Sequence, residues 1–230
     1  MDEPVRLNKF LSDKGICSRR EADRLVEMEK ILVNNTYAQK GQKVLESDEI
    51  VIDGKRINGS KKDKKIVMAF HKPVGIICTA SKEKNNIIDY INYPTRIYPI
   101  GRLDKDSEGL ILLTNDGSIV NLILKSRNNH EKEYVVTINK PVTEAFLKKM
   151  QEGVEILDVV TKPCKAWKID TNTFHIVLTQ GLNRQIRRMC KELGATVTKL
   201  KRIRIMHIKL DHLPVGKWRL LSDEEIKKFR

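Results

Sequence analysis

Apolar residues in the first sixty positions follow a helical spacing and then a strand-like one. Those within 7–11 lie on one face of a predicted helix, and Ser-Arg-Arg-Glu at 18–21 has the capping-box pattern that opens a second helix. Short apolar runs at 31–33 and 50–52 then predict strands, the latter as half of a hairpin. This region is therefore predicted to contain two helices followed by short strands.

Strand-like and helix-like patterns alternate irregularly over the rest of the chain. Short apolar runs predict strands at 67–70, 75–78, 111–114, 133–138, 174–179, 197–205 and 207–210. Helical spacing and capping residues predict helices at 118–125, between Thr143 and Gly153, at 183–193, and after the capping box at 222–225. Because this order lacks the regular repeat of a parallel β-α-β array, we predict the α+β class, with a largely antiparallel or mixed sheet flanked by helices.

A polar, lysine-rich stretch separates these two patterns. Residues 58–65 read Asn-Gly-Ser-Lys-Lys-Asp-Lys-Lys and contain no apolar side chain, which is typical of a linker. We therefore predict a small helix-helix-strand domain at 1–60, a linker at 61–65 and a larger domain at 66–230.

The charge distribution indicates a polyanionic partner. The chain has 44 Lys and Arg against 30 Asp and Glu, a net charge of +14. The excess lies in 65–230, with 30 basic and 18 acidic residues, and is greatest in 181–210, where nine basic residues accompany one acidic residue. Such a balance is typical of nucleic-acid binding. No run of about 18 apolar residues and no apolar signal segment is present, so we expect a cytoplasmic monomer without membrane contact.

Residues 101–110 are the first candidate for chemistry, because charged and glycine residues interrupt strand-like sequence there. Asp104 is predicted to lie on a loop that leads into the apolar run 111–114, a rigid support for a catalytic group. A calcium loop is excluded because Asn115 occupies the twelfth position, where a bidentate glutamate is required. The histidines and cysteines lack zinc-ligand spacing, and we predict no metal.

The N-terminal region resembles the S4-type RNA-binding module, which is named for a ribosomal protein. The matching runs are 6–11, 15–22 and 33–34. Glu29 departs from the family, which usually has a turn glycine there, and Asn35 replaces a second glycine. In this family, basic residues around the start of the second helix face RNA phosphates. The resemblance gives that role to Arg19, Arg20 and Arg24.

Four motifs, at 71–75, 101–110, 132–134 and 181–189, occur in the order and spacing of the ribosomal RNA pseudouridine synthases. The resemblance covers nearly the whole chain and is strongest to the bacterial large-subunit synthases of the F type. It implies an isomerase, an intramolecular transferase, that converts a uridine of a 23S rRNA stem-loop to pseudouridine without a cofactor. A tRNA anticodon arm is a further substrate to consider, and a sibling enzyme acting on 16S rRNA is the alternative.

The resemblance also implies roles for individual residues. Asp104 matches the essential aspartate nucleophile, and Arg187 matches the arginine that pairs with it. Tyr134 matches the tyrosine that lies against the target base and assists proton transfer, and Ile186 matches the apolar residue on the other side of the base. An ionised carboxylate can add to the base or act at the ribose, and the residues fit both routes.

Further RNA contacts are expected from basic residues near these motifs, namely Arg102, Arg184, Lys199, Lys201 and Arg202. A methyltransferase would show a Gly-x-Gly-x-x-Gly loop after a strand, and the scattered glycines form none. A ribosome-associated RNA-binding factor in which Asp104 is inert is the non-enzymatic alternative.

Overall fold

The computed structural model describes residues 3–57, 64–79, 83–124 and 130–229. These residues form two compact units. The first holds the described residues as far as Lys65 together with Tyr93–Arg96, and the second holds Ile66–Asn92 and the described residues from Ile97 onward. Most of the predicted linker at 61–65 lies outside the described residues.

The first unit is built from two helices and short strands. The helices are α1 (Leu7–Asp13) and α2 (Arg19–Glu27). The strands are β1 (Val5–Arg6), β2 (Ile31–Val33), β3 (Thr36–Tyr37), β4 (Lys43–Val44), β5 (Ile50–Ile52) and β6 (Lys55–Arg56). Antiparallel pairing gives one sheet in the order β3-β2-β5-β6 and a separate β1-β4 pair. The predicted helix-helix-strand arrangement is confirmed.

The start of α2 is fixed by its N-cap. The Ser18 hydroxyl accepts a hydrogen bond from the Glu21 backbone N–H at 3.1 Å, as the capping pattern predicts. Inside the unit, a small apolar core holds the helices against the sheet. Its fully buried members include Leu7, Leu11, Ala22, Ile31 and Ile50.

Glu29 follows α2 with a left-handed backbone, φ 53°. In this region a Cβ atom approaches the following carbonyl oxygen, which is why glycine is the favoured residue. Asn34 and Asn35 adopt the same region with φ 49° and 62°, and asparagine tolerates it better than glutamate does. The chain therefore makes a left-handed turn after α2, at a steric cost to Glu29.

We predict that Glu29→Gly raises the free energy of unfolding. Relief of a left-handed residue is worth about 1–2 kcal/mol, of which the flexibility of glycine in the unfolded chain offsets about 0.5–1 kcal/mol. Urea unfolding measures the difference. The control is Arg20→Gly inside α2, which should lower stability by about 1 kcal/mol. An equal decrease in the free energy of unfolding of both variants would show that the backbone at Glu29 is not strained.

The second unit contains a large mixed sheet with helices on it. The strands are β7 (Val67–Lys72), β8 (Tyr98–Ile100), β9 (Glu108–Thr114), β10 (Lys132–Ile138), β11 (Glu155–Ile156), β12 (Val159–Val160), β13 (Lys165–Asp170), β14 (Thr173–Leu178), β15 (Val197–Ile205), β16 (Ile208–Lys209) and β17 (Trp218–Leu220). The helices are α3 (Ile87–Ile91), α4 (Gly117–Leu124), α5 (Glu144–Glu152), α6 (Gln185–Glu192) and α7 (Asp223–Lys227).

Nine strands form one sheet in the order β13-β14-β10-β15-β9-β7-β17, with β16 beside β15 and β8 beside β9. Within the described residues of this sheet, β9 and β15 pair in parallel and the other pairs are antiparallel. Helices α5 and α6 pack on the β13-to-β15 half, and α4 packs on the other half. The predicted α+β class with a mixed sheet is confirmed. Across the described ranges, no helix is both long and apolar enough to cross a membrane.

Several helix boundaries match their predicted caps. Thr143 caps the start of α5 and Gly153 is its C-cap, and Ser222 forms a complete capping box with Glu225 at the start of α7. The predicted helix 118–125 corresponds to α4, whose last predicted residue lies outside the described residues.

The predicted strand at 75–78 is wrong. This segment is a turn and loop that makes only an isolated bridge between Ile77 and Asn86 among the described residues. Gly75 has φ +93°, and the carbonyl oxygen of Ile76 accepts a hydrogen bond from the Lys72 ammonium at 2.9 Å. A side chain therefore replaces the strand partner that the apolar run was expected to have.

Candidate active site

A parallel contact between β9 and β15 joins the two halves of the large sheet. Arg202 of β15 lies beside Gly109 of β9, and Lys201 lies beside Glu108. Gly109 has φ +118°, and a Cβ atom there would lie 2.2 Å from the Arg202 carbonyl oxygen. Only glycine permits this approach. The loop 101–107, which leads into β9, is thereby held beside β15, and the predicted position of Asp104 before a core strand is confirmed.

A pocket of about 660 Å³ opens where the loop, β10, β15 and the start of α6 meet. This volume is typical of sites that hold a small molecule or a single nucleotide. The side chains that concern the chemistry here are Asp104, Lys132, Tyr134, Arg184, Ile186 and Arg202. A carboxylate, a phenol and several cations therefore share one concave surface.

Asp104 lines this pocket, as does Glu83, and is partly accessible, with 32% of its side chain exposed. Its carbonyl oxygen accepts a hydrogen bond from the Ser107 N–H at 3.0 Å, which closes a tight turn just before β9. Arg184 Nη1 lies 3.9 Å from Asp104 Oδ2 and 3.5 Å from Asp106 Oδ2. Arg184 was predicted as an RNA contact, and the structure also places it beside the carboxylate.

Arg187 does not form the predicted ion pair with Asp104 in the described part of the chain. Its Nη2 instead donates to the Asp106 carbonyl oxygen at 2.9 Å and to Ser107 Oγ at 3.2 Å. Burial lowers the pKa of Arg187, and the carboxylates of Asp104 and Asp106 oppose that shift. The pairing differs because Arg184 precedes α6 with a left-handed backbone, whereas Arg187 lies one turn later and reaches the loop backbone.

Tyr134 and Ile186 lie on two walls of the pocket, on β10 and α6. The Tyr134 ring centroid is 6.0 Å from the Arg202 guanidinium carbon, because the two residues are cross-strand neighbours. Arg202 Nε donates to the Leu110 carbonyl oxygen at 2.6 Å, and Nη1 donates to the Arg102 carbonyl oxygen at 3.4 Å. The side chain of Arg102 is exposed at the rim.

The expectation that Lys199, Lys201 and Arg202 all contact the RNA backbone needs correction for Arg202. Lys199 is exposed, and Lys201 Nζ lies 3.0 Å from Glu108 Oε1, whereas Arg202 is only 3% exposed and lines the pocket. Alternate residues of a strand face opposite sides of the sheet. Arg202 therefore cannot share a solvent-exposed surface with the two lysines.

The arginines expected to contact RNA at the start of α2 belong to the first unit. All three side chains are exposed, and they follow the Ser18 cap along the helix. They are Arg19, Arg20 and Arg24.

Sequence reasoning missed Lys72, which is fully buried. Its Nζ donates to the carbonyl oxygens of Pro73 at 2.7 Å, Ile76 at 2.9 Å and Lys105 at 3.4 Å. Burial lowers the pKa of Lys72, and the Asp104 carboxylate opposes that shift. The Lys-Pro pair in the first motif was the available signal, but its three acceptors lie in two separate loops.

Comparison with known proteins identifies the family to which the chain belongs. The model of the RNA pseudouridylate synthase family matches residues 66–192, and the S4 domain model matches 5–50. The chain belongs to the RNA pseudouridylate synthase family. The resemblance predicted from the four motifs and the N-terminal module is confirmed.

Relatives of this synthase cover nearly the whole chain. The dual-specificity RNA pseudouridine synthases RluF of Salmonella typhi and of Escherichia coli (strain K12) are each 50% identical over 226 residues, 98% of this chain and 78% of the relative. The ribosomal large subunit pseudouridine synthase B of Bacillus subtilis (strain 168) is 34% identical over 98% of this chain and 95% of its own. A crystal structure of a pseudouridylate synthase superposes with a TM-score of 0.72 at 28% identity, covering 98% of this chain and 100% of the other.

We predict that Gly109→Ala destabilises the synthase by about 3 kcal/mol or more, because the new Cβ atom would collide with the backbone of Arg202. Urea unfolding provides the measurement. Gly181→Ala is the matched control, since nothing lies within 4 Å of its Cβ position, and it should change stability by less than about 1 kcal/mol. Similar stability of the two variants would contradict the close approach of β9 and β15.

Proposed function

We propose that this protein is a pseudouridine synthase that isomerises a uridine within a folded RNA. The observation that carries the proposal is the convergence of Asp104 and Tyr134 in one pocket. A carboxylate and an aromatic phenol suit a reaction in which a base is held by stacking while its bond to ribose is exchanged. Membership of the family gives the same reaction class.

The reaction moves bonds without adding or removing atoms. The bond between ribose C1′ and uracil N1 breaks, the ring rotates, and C1′ bonds to C5. The C5 proton leaves and N1 gains a proton, so that no cofactor is consumed. We assign the nucleophilic role to Asp104, which either adds to the base or acts at the ribose.

Residues near Asp104 bind the uracil or fix the loop that carries Asp104. In the proposal, the Tyr134 ring stacks against the uracil, and its hydroxyl assists removal of the C5 proton. Ile186 packs on the other side of the base. Arg187 positions Asp104 indirectly, through its hydrogen bonds to Asp106 and Ser107, and Arg184 supplies the nearest positive charge.

The exposed basic residues are proposed to bind the RNA backbone. We assign RNA binding to residues 1–60, linkage to 61–65 and catalysis to 66–230. Phosphate contacts on the first region come from the three arginines around the start of α2. Further phosphate contacts come from Arg102 at the pocket rim and from Lys199 and Lys201 on the other face of β15, and all three side chains are accessible.

The proposed substrate is a stem-loop of 23S rRNA, modified by a cytoplasmic monomer. The names of two relatives support this choice, one for the ribosomal large subunit and one for dual specificity. A tRNA anticodon arm is proposed as the second substrate, and a 16S rRNA stem-loop is the competing candidate.

Replacing Asp104 tests the chemistry. Asp104→Asn keeps the size of the side chain but removes its charge, and we expect pseudouridine formation to fall by at least about 10⁴-fold. RNA affinity should change less than about tenfold, because the carboxylate is repelled by phosphate rather than attracted to it. Nucleoside chromatography of digested RNA measures the product, and Asp106→Asn, which makes the same charge change in the same loop, should remain active. Normal turnover by Asp104→Asn would remove this residue from the mechanism.

A panel of RNAs tests the substrate. We expect transcripts of 23S rRNA stem-loops to be modified with a kcat/KM at least about tenfold above that of 16S stem-loops, and tRNA anticodon arms to fall between them. The measurement is pseudouridine formed per RNA under identical salt. Tight binding of all these RNAs without any modification would favour the non-enzymatic RNA-binding factor instead.

A further inference from the structure

Lys132 is a pocket residue to which neither the sequence motifs nor the reaction scheme gives a role. It begins β10, two positions before Tyr134, and the side chains of both residues line the pocket. Residues two apart on a strand face the same side of the sheet. Among the described residues, the Lys132 ammonium has no hydrogen-bond or ion-pair partner. A partly buried cation therefore faces the space in which the proposed function puts the uracil.

Arg202 brings a second positive charge to the same wall. It is the cross-strand neighbour of Tyr134, and its buried Nη2 has no hydrogen-bond partner in the described part of the chain. Burial, and then the charge of Arg202, lower the pKa of Lys132. Two like charges with unused donors repel each other, and a negative group near both of them offsets that repulsion.

The uracil ring becomes such a negative group during the reaction. If Asp104 adds to ring carbon C6, electrons move onto the carbonyl oxygen O4. If the C1′–N1 bond breaks first, its electron pair stays with N1 and is shared with O2 and O4. In both routes the charge arises on the ring and is lost when C5 has bonded to C1′, released its proton, and N1 has been protonated.

We propose that Lys132, together with Arg202, stabilises the negative charge that develops on the uracil ring. The ammonium donates a hydrogen bond to a ring oxygen and keeps its own proton throughout. Its contribution is greatest when the charge is fully developed, so that it accelerates the reaction rather than merely binding the RNA. A phosphate is the competing anion, but Lys132 shares its strand face with Tyr134, the residue assigned to the base. This inference rests on the proposed function.

The test compares Lys132→Met, which removes the charge and keeps the length, with Lys132→Arg, which keeps the charge. Single-turnover rates are measured on an RNA stem-loop that the wild-type protein modifies, with RNA affinity measured in parallel. We expect Lys132→Met to lower the rate constant on the order of 10²–10³-fold, as for loss of one preorganised donor, while affinity changes less than about tenfold. Lys132→Arg should recover most of the rate. Lys168→Met removes an exposed lysine of β13 outside the pocket and should react normally.

Three results would overturn the inference. The first is a rate constant for Lys132→Met within about threefold of wild type. The second is a defect in affinity alone, which would assign Lys132 to a phosphate. The third is an equal rate loss in Lys132→Arg with unchanged circular dichroism, which would show that charge is not the requirement. The wild-type reaction tests the proposed function independently of the variants. If the wild-type protein formed no pseudouridine, the proposed function would be contradicted.

Discussion

Gly109 and Arg202 bring β9 and β15 into a parallel backbone contact that a single Cβ atom would prevent. The loop that carries Asp104 enters the sheet through β9, and Tyr134 lies on β10, the other neighbour of β15. The two side chains reach the same pocket because three strands are fixed in this order. The absence of a side chain at one position therefore determines the geometry of groups on two different parts of the chain.

Buried and half-buried cations hold the irregular backbone around Asp104. Lys72, Arg187 and Arg202 each donate to carbonyl oxygens of loop residues or of the start of β9. Leaving a buried carbonyl oxygen unpaired would cost about 1–3 kcal/mol. These three residues therefore fix the loop and concentrate positive charge near the carboxylate. Some of the basic residues in the motifs therefore form hydrogen bonds with the protein's own backbone. The net charge alone consequently overstates how many basic residues are available to bind RNA.

Local signals predicted the elements well, and long-range contacts account for the errors. The helix starts at Ser18, Thr143 and Ser222 follow from side chains that cap their own helices. The segment 75–78 was predicted as a strand from its apolar run, and no local pattern reveals that the Lys72 ammonium donates to the Ile76 carbonyl oxygen. Arg184, rather than Arg187, likewise lies beside Asp104 because the backbone is left-handed at Arg184, just before α6. An arginine gives no sequence signal for that conformation. Asp104, Tyr134 and Ile186 of the motifs line one pocket, whereas the arginine beside Asp104 is not the one that the motifs indicated.

The most direct test of the account is a crystal structure of the Asp104→Asn variant bound to an RNA stem-loop that the wild-type protein modifies. The account predicts that the target uridine is turned out of the RNA stack, with its ring against Tyr134 and its ribose or ring carbon C6 within about 3.5 Å of the substituted side chain, the separation of a reacting pair. A complex in which the RNA covers the basic surfaces but no nucleotide enters the pocket would contradict it.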